Sequence, residues 1–246
     1  MPKKKDIMQF QRARRYHDGV AAVNAAEDAA GVATALAAHG KKLDLDMVAY
    51  GDLTAANKVI VDTAVLAGKG DDGYADRNAV AAAFDTILVQ RVAIEFAVGM
   101  VNAALSVAKM GAVIEQYAEI LGLELDAYNL LTDKNKETVC DDMLTGKPYA
   151  NEAAVKIAFD AAVATELETQ AVAAVNAADN TVKMSAALFT YADVLEIDVS
   201  EESDYTALEP EKQSLVLEAM VSGQSYDDAE AIKTAFDAAV AAQQEE

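Results

Sequence analysis

Apolar residues recur along this chain at helical spacing, and the clearest run lies between residues 80 and 88. Positions i, i+3, i+4, i+7 and i+8 are filled there by Val80, Ala83, Phe84, Ile87 and Leu88. The stripe returns twice, as Val155, Ala158, Phe159, Ala162 and Val163 and then as Ile232, Ala235, Phe236, Ala239 and Val240. This spacing is typical of an amphipathic helix that faces a core, so the pattern predicts an all-α fold.

Four further landmarks accompany each stripe in a fixed order, which indicates an internal repeat of about 76 residues. They are the segment Val-Asn-Ala-Ala (23–26, 101–104, 175–178), a first tyrosine (Tyr50, Tyr128, Tyr205), a glycine (Gly68, Gly146, Gly223) and a second tyrosine (Tyr74, Tyr149, Tyr226). We therefore predict three tandem three-helix modules. Their boundaries are 20–97, 98–171 and 172–246, after a basic arm and leading helix over 1–19.

Each predicted module has helices A, B and C. Helix A ends near Leu43, Leu121 or Leu195, and a short connector follows whose alternating residues are also compatible with a strand. Helix B begins at Thr54, Thr132 or Glu209, where threonine is a good N-cap and Pro210 suits the first helical position. The glycine landmark is expected to be a left-handed C-cap of helix B.

The junction between modules has two interpretations. Residues 151–195 contain neither Gly nor Pro, so helix C and the next helix A are compatible with one continuous helix. Alternatively, Ser106, Asp179 or Asn180 is an N-cap and the helix breaks there. In both cases long helices are shared or nearly continuous between modules.

The charge of the chain is unevenly distributed. The net charge is −21, yet residues 1–15 hold one acid, Asp6, and six basic residues: Lys3, Lys4, Lys5, Arg12, Arg14 and Arg15. We predict that this arm is the segment that binds a partner. If the chain binds nucleic acid, we expect it to do so only through this arm. The alternative is that the arm neutralises part of the chain's own acidic body, which itself repels nucleic acid and anionic membranes.

The sequence offers no constellation for catalysis. The single cysteine, Cys140, excludes an internal disulfide and, with two histidines, a zinc cluster, and it is interpreted as a structural thiol. Residues 71–76 are the best calcium candidate, but they lack the EF-hand spacing. The three first tyrosines are expected to bury their rings and bond a loop. We therefore assign no catalytic, cofactor-binding or metal residues and expect a protein that is not an enzyme.

Several phrases resemble a known repeat. Residues 125–132, the Val-Asn-Ala-Ala junctions and the ending Ala-Phe-Asp-Ala-Ala-Val are similar to the Ala-rich three-helix repeats of Gram-positive bacterial surface (S-layer-type) proteins. The resemblance covers nearly the whole chain after residue 20 and implies a structural role. It also implies the cell surface as one location.

The start of the chain has no apolar run typical of a signal peptide, and a mature fragment given a new Met would read the same way. We therefore expect a chain made in the cytoplasm, a phage virion as its location, and the cell surface as the alternative. The expected function is that of a building block of a larger assembly. Its expected partners are other protein chains, in a homo-oligomer or a larger assembly, and we expect no contact with a membrane. The alternative is a helical-repeat adaptor for a protein or glycan. Residue-specific function is expected where the copies differ: the arm, 70–72 and 201–203.

Overall fold

The computed structural model describes residues 16–245, which form helices joined by loops and turns and contain no strand. The predicted all-α class is confirmed. The helices are α1 (16–25), α2 (Ala29–His39), α3 (Met47–Asp52), α4 (Ala55–Gly68), α5 (Arg77–Ala103), α6 (Val107–Leu121), α7 (Asp126–Leu130), α8 (Asp133–Thr145), α9 (Glu152–Asn176), α10 (Thr181–Thr190), α11 (Pro210–Ser222) and α12 (Ala229–Gln244), with a 3-10 turn at Gly40–Leu43. The alternative prediction, that the connectors after helix A form strands, is therefore wrong for residues 16–245.

The chain divides into two compact units, Met1–Gly99 and Met100–Glu246. In the first unit, α2, α4 and the first turns of α5 enclose a core in which Leu36, Val61 and Phe84 are fully buried. Burial of side chains of this size supplies most of the stabilisation of a helical unit, at about 1.5–3 kcal/mol for each.

The second unit contains two successive helical groups. In the first group Met110, Val139 and Phe159 bring α6, α8 and α9 together. In the second group α10, α11 and α12 pack around Phe236 and the C-terminal turns of α9. Each predicted Phe of a stripe is thus a core residue, as the helical spacing indicated.

Side-chain caps set where the helices begin. Thr54 and Thr132 accept hydrogen bonds from the amides of Asn57 and Asn135, and Pro210 occupies the first position of α11, so the predicted starts of helix B are confirmed. At the junctions, α5 ends at Ala103 and Ser106 caps α6, while α9 ends at Asn176 and Asn180 caps α10. The structure therefore supports the broken junction and not the continuous helix.

Two connectors contain short helices that were not predicted. Met47–Asp52 and Asp126–Leu130 are helical, and they place the first tyrosines, Tyr50 and Tyr128, against the cores. In the third copy α10 ends at Thr190, before the predicted Leu195, and turns lead through the 201–203 insertion.

The expected left-handed caps at the end of helix B are wrong. Gly146 has a φ of −72°, Gly223 has a φ of −87°, and Gly68 lies within the last turn of α4. Positive φ values occur after helix A in each copy, at Asp44 (58°), Gly122 (66°) and Glu196 (52°), and also at Gly70 (56°) and Gly73 (72°) in the loop after α4. The chain therefore reverses in the left-handed region at the first connection of each copy, and the landmark glycines have another role.

Candidate functional site

Three polar junctions recur at matching positions, and each joins the end of one helix to the residue that precedes the next long helix. The side chain of an asparagine in the Val-Asn-Ala-Ala segment donates to the carbonyl of the second tyrosine and accepts from its amide. The pairs are Asn24 with Tyr74 (2.9 and 2.7 Å), Asn102 with Tyr149 (2.9 and 2.8 Å) and Asn176 with Tyr226 (2.8 and 2.8 Å). We call this arrangement the clasp.

A second polar side chain closes each clasp from the residue after the landmark glycine. Lys147 donates its ammonium protons to the carbonyls of Asn102 and Ala104, which are orphan carbonyls at the end of α5. Lys69 does the same for Asn24 and Ala26. In the third copy the amide of Gln224 donates to the carbonyls of Val175 and Ala178, at 2.8 and 2.6 Å. A neutral amide thus replaces an ammonium and keeps the bond to the matching alanine carbonyl, while its second bond goes to Val175 and not to the asparagine.

The second tyrosine explains the landmark glycine. Its hydroxyl donates to the carbonyl three residues before the glycine, in the pairs Tyr74–Val65 (2.6 Å), Tyr149–Met143 (2.9 Å) and Tyr226–Met220 (3.0 Å). A Cβ on the glycine would lie 2.6, 2.6 and 2.8 Å from the hydroxyl oxygen in the three copies. Glycine is therefore required by close approach and not by its backbone conformation. Burial raises the pKa of these hydroxyls, so they remain donors.

The first tyrosine packs against the Phe of the stripe in every copy. The ring centroids of Tyr50–Phe84, Tyr128–Phe159 and Tyr205–Phe236 are 5.7, 5.5 and 5.4 Å apart, each with an interplanar angle of 47°. This tilted packing at short centroid distance is favourable for aromatic pairs. The expected burial of these rings is confirmed at Tyr128 and Tyr205, whereas Tyr50 is only half-buried. The expected hydrogen bond to a loop is wrong for Tyr50 and Tyr128, because their hydroxyls contact side chains of α4 and α8.

The residue twelve positions after the first tyrosine differs in each copy, and it is Asp62, Cys140 or Leu217. All three side chains are buried, with exposed fractions of 3%, 2% and 9%. The Tyr50 hydroxyl lies 2.9 and 3.0 Å from the two carboxylate oxygens of Asp62, and the Tyr128 hydroxyl lies 3.7 Å from the Cys140 sulfur. Cys140 is thus a buried thiol, as predicted. A buried acid at the same position of the first copy was not anticipated.

Burial has the same chemical consequence for this position in the first two copies, because it favours the protonated, neutral side chain. It raises the pKa of Asp62, against the smaller lowering effect of the Tyr50 hydrogen bond, and so favours the neutral acid. It also raises the pKa of the Cys140 thiol, which disfavours the reactive thiolate. Neither group therefore has the properties of a poised nucleophile.

A polar network with a related role fixes the start of helix B. The Glu95 carboxylate accepts hydrogen bonds from the amide and hydroxyl of Thr54 and from Asn57. In the second copy Gln170 accepts from the Thr132 amide in the same way. Desolvation acts to raise the pKa of Glu95, but these hydrogen bonds outweigh it and hold that pKa below its ordinary value.

Two open grooves are the cavities of note. One, of about 740 Å³, lies between α6 and α8, with Gly111, Tyr128 and Cys140 among its lining residues. The other, of about 510 Å³, lies beside α1, where the Arg77 guanidinium stacks 4.6 Å from the Tyr16 ring centroid. Volumes of this size are typical of small-ligand sites, but both grooves are open and neither gathers convergent catalytic groups.

The predicted site residues have varied outcomes. The basic arm residues Lys3, Lys4, Lys5, Arg12, Arg14 and Arg15 lie outside the described residues. In the acidic segment 71–76, Asp76 caps α5 by accepting from the Ala79 amide at 3.0 Å. Residues 16–245 contain no group of three or more His, Cys, Asp or Glu side chains arranged to hold a metal ion. No helix within that range is long and apolar enough to cross a membrane.

Sequence reasoning identified the asparagines, tyrosines and glycines as landmarks but missed their chemistry, as well as the lysines and the glutamine that complete the clasps. The nearly constant separation between the asparagine and the second tyrosine, 50, 47 and 50 residues, is the signal that points to a paired contact. Comparison with known proteins adds no relative. No protein-family model, curated protein or solved structure matches this chain.

Proposed function

We propose that this chain is a non-enzymatic structural protein made of three tandem helical modules, and that it is a building block of a larger assembly. The observation that carries the proposal is the clasp, which occurs three times with the same residue types and nearly the same distances. Repeated units that are each closed by identical contacts are typical of proteins that build extended surfaces.

The side chains that recur in all three copies are committed to holding helices together. Asparagine, tyrosine and lysine or glutamine satisfy backbone groups at the clasp, and the first tyrosine and the phenylalanine fill the core. An active site requires polar groups that converge on a cavity and remain available to a substrate. The recurring polar groups here are instead used by the scaffold, which supports a structural role.

Exposed apolar side chains offer contact area for other chains. Leu105 is 90% exposed, and the matching positions in the other copies are the acids Glu27 and Asp179. An exposed leucine at a position that is otherwise acidic is a candidate contact with a second molecule. We propose a virion as the location and the cell surface as the alternative.

The test is the association state of the full chain. We expect sedimentation velocity and light scattering to show concentration-dependent species larger than the monomer, and electron microscopy to show ordered particles or arrays. Leu105→Glu should weaken this association, and Ala150→Glu, which adds the same charge at another exposed loop position, should not. Antibody labelling of purified phage particles and of whole cells distinguishes the two locations. A chain that is monomeric throughout and labels neither would overturn the proposal.

A second candidate is a helical-repeat adaptor, and the groove between α6 and α8 is the observation that favours it. At Gly111 an added Cβ would contact only the Cys140 sulfur, at 3.5 Å, so the groove is open at its centre. Gly111→Phe would fill it. If the chain is an adaptor, this variant should lose a partner protein or glycan that the wild type captures and retain any self-association. If the chain is a structural building block, partner capture should be absent from both proteins.

A further inference from the structure

The Tyr50–Asp62 pair joins two elements of the first unit. Tyr50 belongs to α3 and Asp62 to α4, and the phenol donates its proton to a carboxylate that is almost entirely removed from water. Among residues 16–245, the Asp62 carboxylate accepts its hydrogen bond from the Tyr50 hydroxyl. A buried carboxylate without a neutralising cation is costly when it is ionised, whereas the neutral acid is not.

The charged surroundings do not offset that cost. On the elements packed around Asp62, the other titratable or charged side chains are His39, Lys41, Lys42, Asp44, Asp46, Asp52, Lys58, Arg77, Asp85, Arg91 and Glu95. Lys58, one turn earlier on α4, donates to the Gly51 carbonyl at 2.6 Å and does not pair with Asp62. Asp62 is not a member of the ion pairs Arg77–Asp44, Lys156–Asp160, Lys183–Asp179 and Lys233–Asp237.

We propose that Tyr50 and Asp62 form a pH-responsive latch in the first unit: uptake of one proton by Asp62 tightens α3 against α4, and its release loosens them. The second unit has no such latch, because its matching residues are Cys140 and Leu217. The proposal concerns the stability of one unit and does not depend on the assembly proposed above.

The direction of the effect follows from proton linkage. Burial places the pKa of Asp62 in the folded chain above its ordinary value of 3.8, so the folded state holds a proton that the unfolded state releases. The latch is therefore strongest below that ordinary value. It weakens as pH rises through the folded pKa and stays weak above it. The unfolding equilibrium of the unit changes tenfold for each unit that separates the two pKa values.

The direct test is a carboxyl-carbon NMR titration of the full wild-type chain, with Asp52 of α3 as an exposed reference. We expect the titration midpoint of Asp62 to lie above pH 3.8 in the wild type. In Tyr50→Phe, which lacks the hydroxyl that donates to the carboxylate, the midpoint of Asp62 should be higher still. A midpoint for Asp62 at or below 3.8, or a fall in Tyr50→Phe, would overturn the proposal.

A second measurement uses the differences between copies. Asp62→Asn should be more stable than wild type at neutral pH, and the difference in denaturation midpoint should shrink on acidification as the wild type takes up its proton. Asp52→Asn is the exposed control and should show no such convergence. Cys140→Asp should give the second unit a pH dependence that Cys140→Asn lacks, measured by hydrogen exchange in peptides covering α7 and α8. The latch would be contradicted if the difference in denaturation midpoint between Asp62→Asn and wild type did not change with pH. It would also be contradicted if hydrogen exchange had the same pH dependence in Cys140→Asp and Cys140→Asn.

Discussion

The close approach of the Tyr149 hydroxyl to Gly146 can be tested by a double-mutant cycle, for which the structure predicts whether each variant raises or lowers the free energy of unfolding. In Gly146→Ala, the new Cβ would lie 2.6 Å from the Tyr149 hydroxyl oxygen, so the hydroxyl must move away from the Met143 carbonyl. A lost hydrogen bond costs about 0.5–1.5 kcal/mol, and overpacking at a buried site typically costs about 1–3 kcal/mol. Because the φ of Gly146 is ordinary, alanine recovers about 0.4–1 kcal/mol through the unfolded state. We expect a net loss of about 1–2 kcal/mol.

Removal of the Tyr149 hydroxyl should change the effect of Gly146→Ala from destabilising to neutral or stabilising. In Tyr149→Phe the nearest ring atom to the new Cβ is Cζ, at 3.4 Å, which is close to ordinary contact. The single variant Tyr149→Phe should cost about 1 kcal/mol for its hydrogen bond. Adding Gly146→Ala to that background should be neutral or stabilising by up to about 1 kcal/mol, which gives a coupling energy of roughly 2 kcal/mol.

The assay is urea unfolding of the wild type, both single variants and the double variant, followed by circular dichroism. Hydrogen exchange in peptides from α8 and α9 assigns the change to the second unit, since a chain with two compact units need not unfold in one step. Gly111→Ala, in the interior of α6, is the matched control and should stabilise by about 0.8–1 kcal/mol. Stabilisation by Gly146→Ala alone, or a coupling energy below about 0.5 kcal/mol, would refute the close-approach explanation.

Three further predictions concern the clasp, the core and the N-cap network. Asn102→Ala should destabilise the second unit by about 2–3 kcal/mol, since both hydrogen bonds to the Tyr149 backbone are lost, and thermal unfolding followed by circular dichroism measures it. Phe159→Ala should cost about 3–5 kcal/mol in chemical denaturation, because it leaves a cavity in a fully packed core. Glu95→Gln, which introduces the residue type of Gln170, should be less stable than wild type at pH 7. The difference should narrow as pH falls through the folded pKa of Glu95, which lies below its ordinary 4.5.

Each of these predictions has a control on the same unit. Asn129→Ala removes an exposed amide and should change stability by less than about 0.5 kcal/mol, and Ile157→Ala does the same for an exposed apolar side chain. Glu27→Gln removes an exposed acid and should show no pH-dependent difference from wild type. Equal effects of Asn102→Ala and Asn129→Ala would argue against the clasp. A Phe159→Ala cost no larger than that of Ile157→Ala would contradict the core assignment, and a Glu95→Gln difference that is constant with pH would contradict the network.

The parts of the fold that sequence predicts are those with a local period. The stripes around Phe84, Phe159 and Phe236 repeat every 3.6 residues and are core faces in the structure. Thr54 and Thr132 are recognisable as caps because the capping contact reaches only three residues. These interactions are local, so their pattern is visible in a short window of sequence.

The parts that sequence missed depend on distant contacts or on very short elements. The clasp joins residues 47–50 positions apart, and no local window contains both members. The sequence pattern predicts a left-handed backbone for Gly146, whereas the structure shows that glycine is needed because the Tyr149 hydroxyl lies close to it. The helix Asp126–Leu130 has five residues and is too short to show a helical period. The buried partner of Tyr50 was missed because an acid in an amphipathic helix is normally exposed.

The clasp also bears on how such a chain tolerates changes in length. Its two partners are separated by 47 residues in the second copy and by 50 in the first and third. The extra residues lie near 70–72 in one case and near 201–203 in the other, yet the same atoms meet at nearly the same distances. The segment between an asparagine and its tyrosine is therefore a cassette with fixed ends and a variable interior. Such a cassette can accept an inserted loop, an epitope or a tag at either position while the junction that bounds it keeps its geometry.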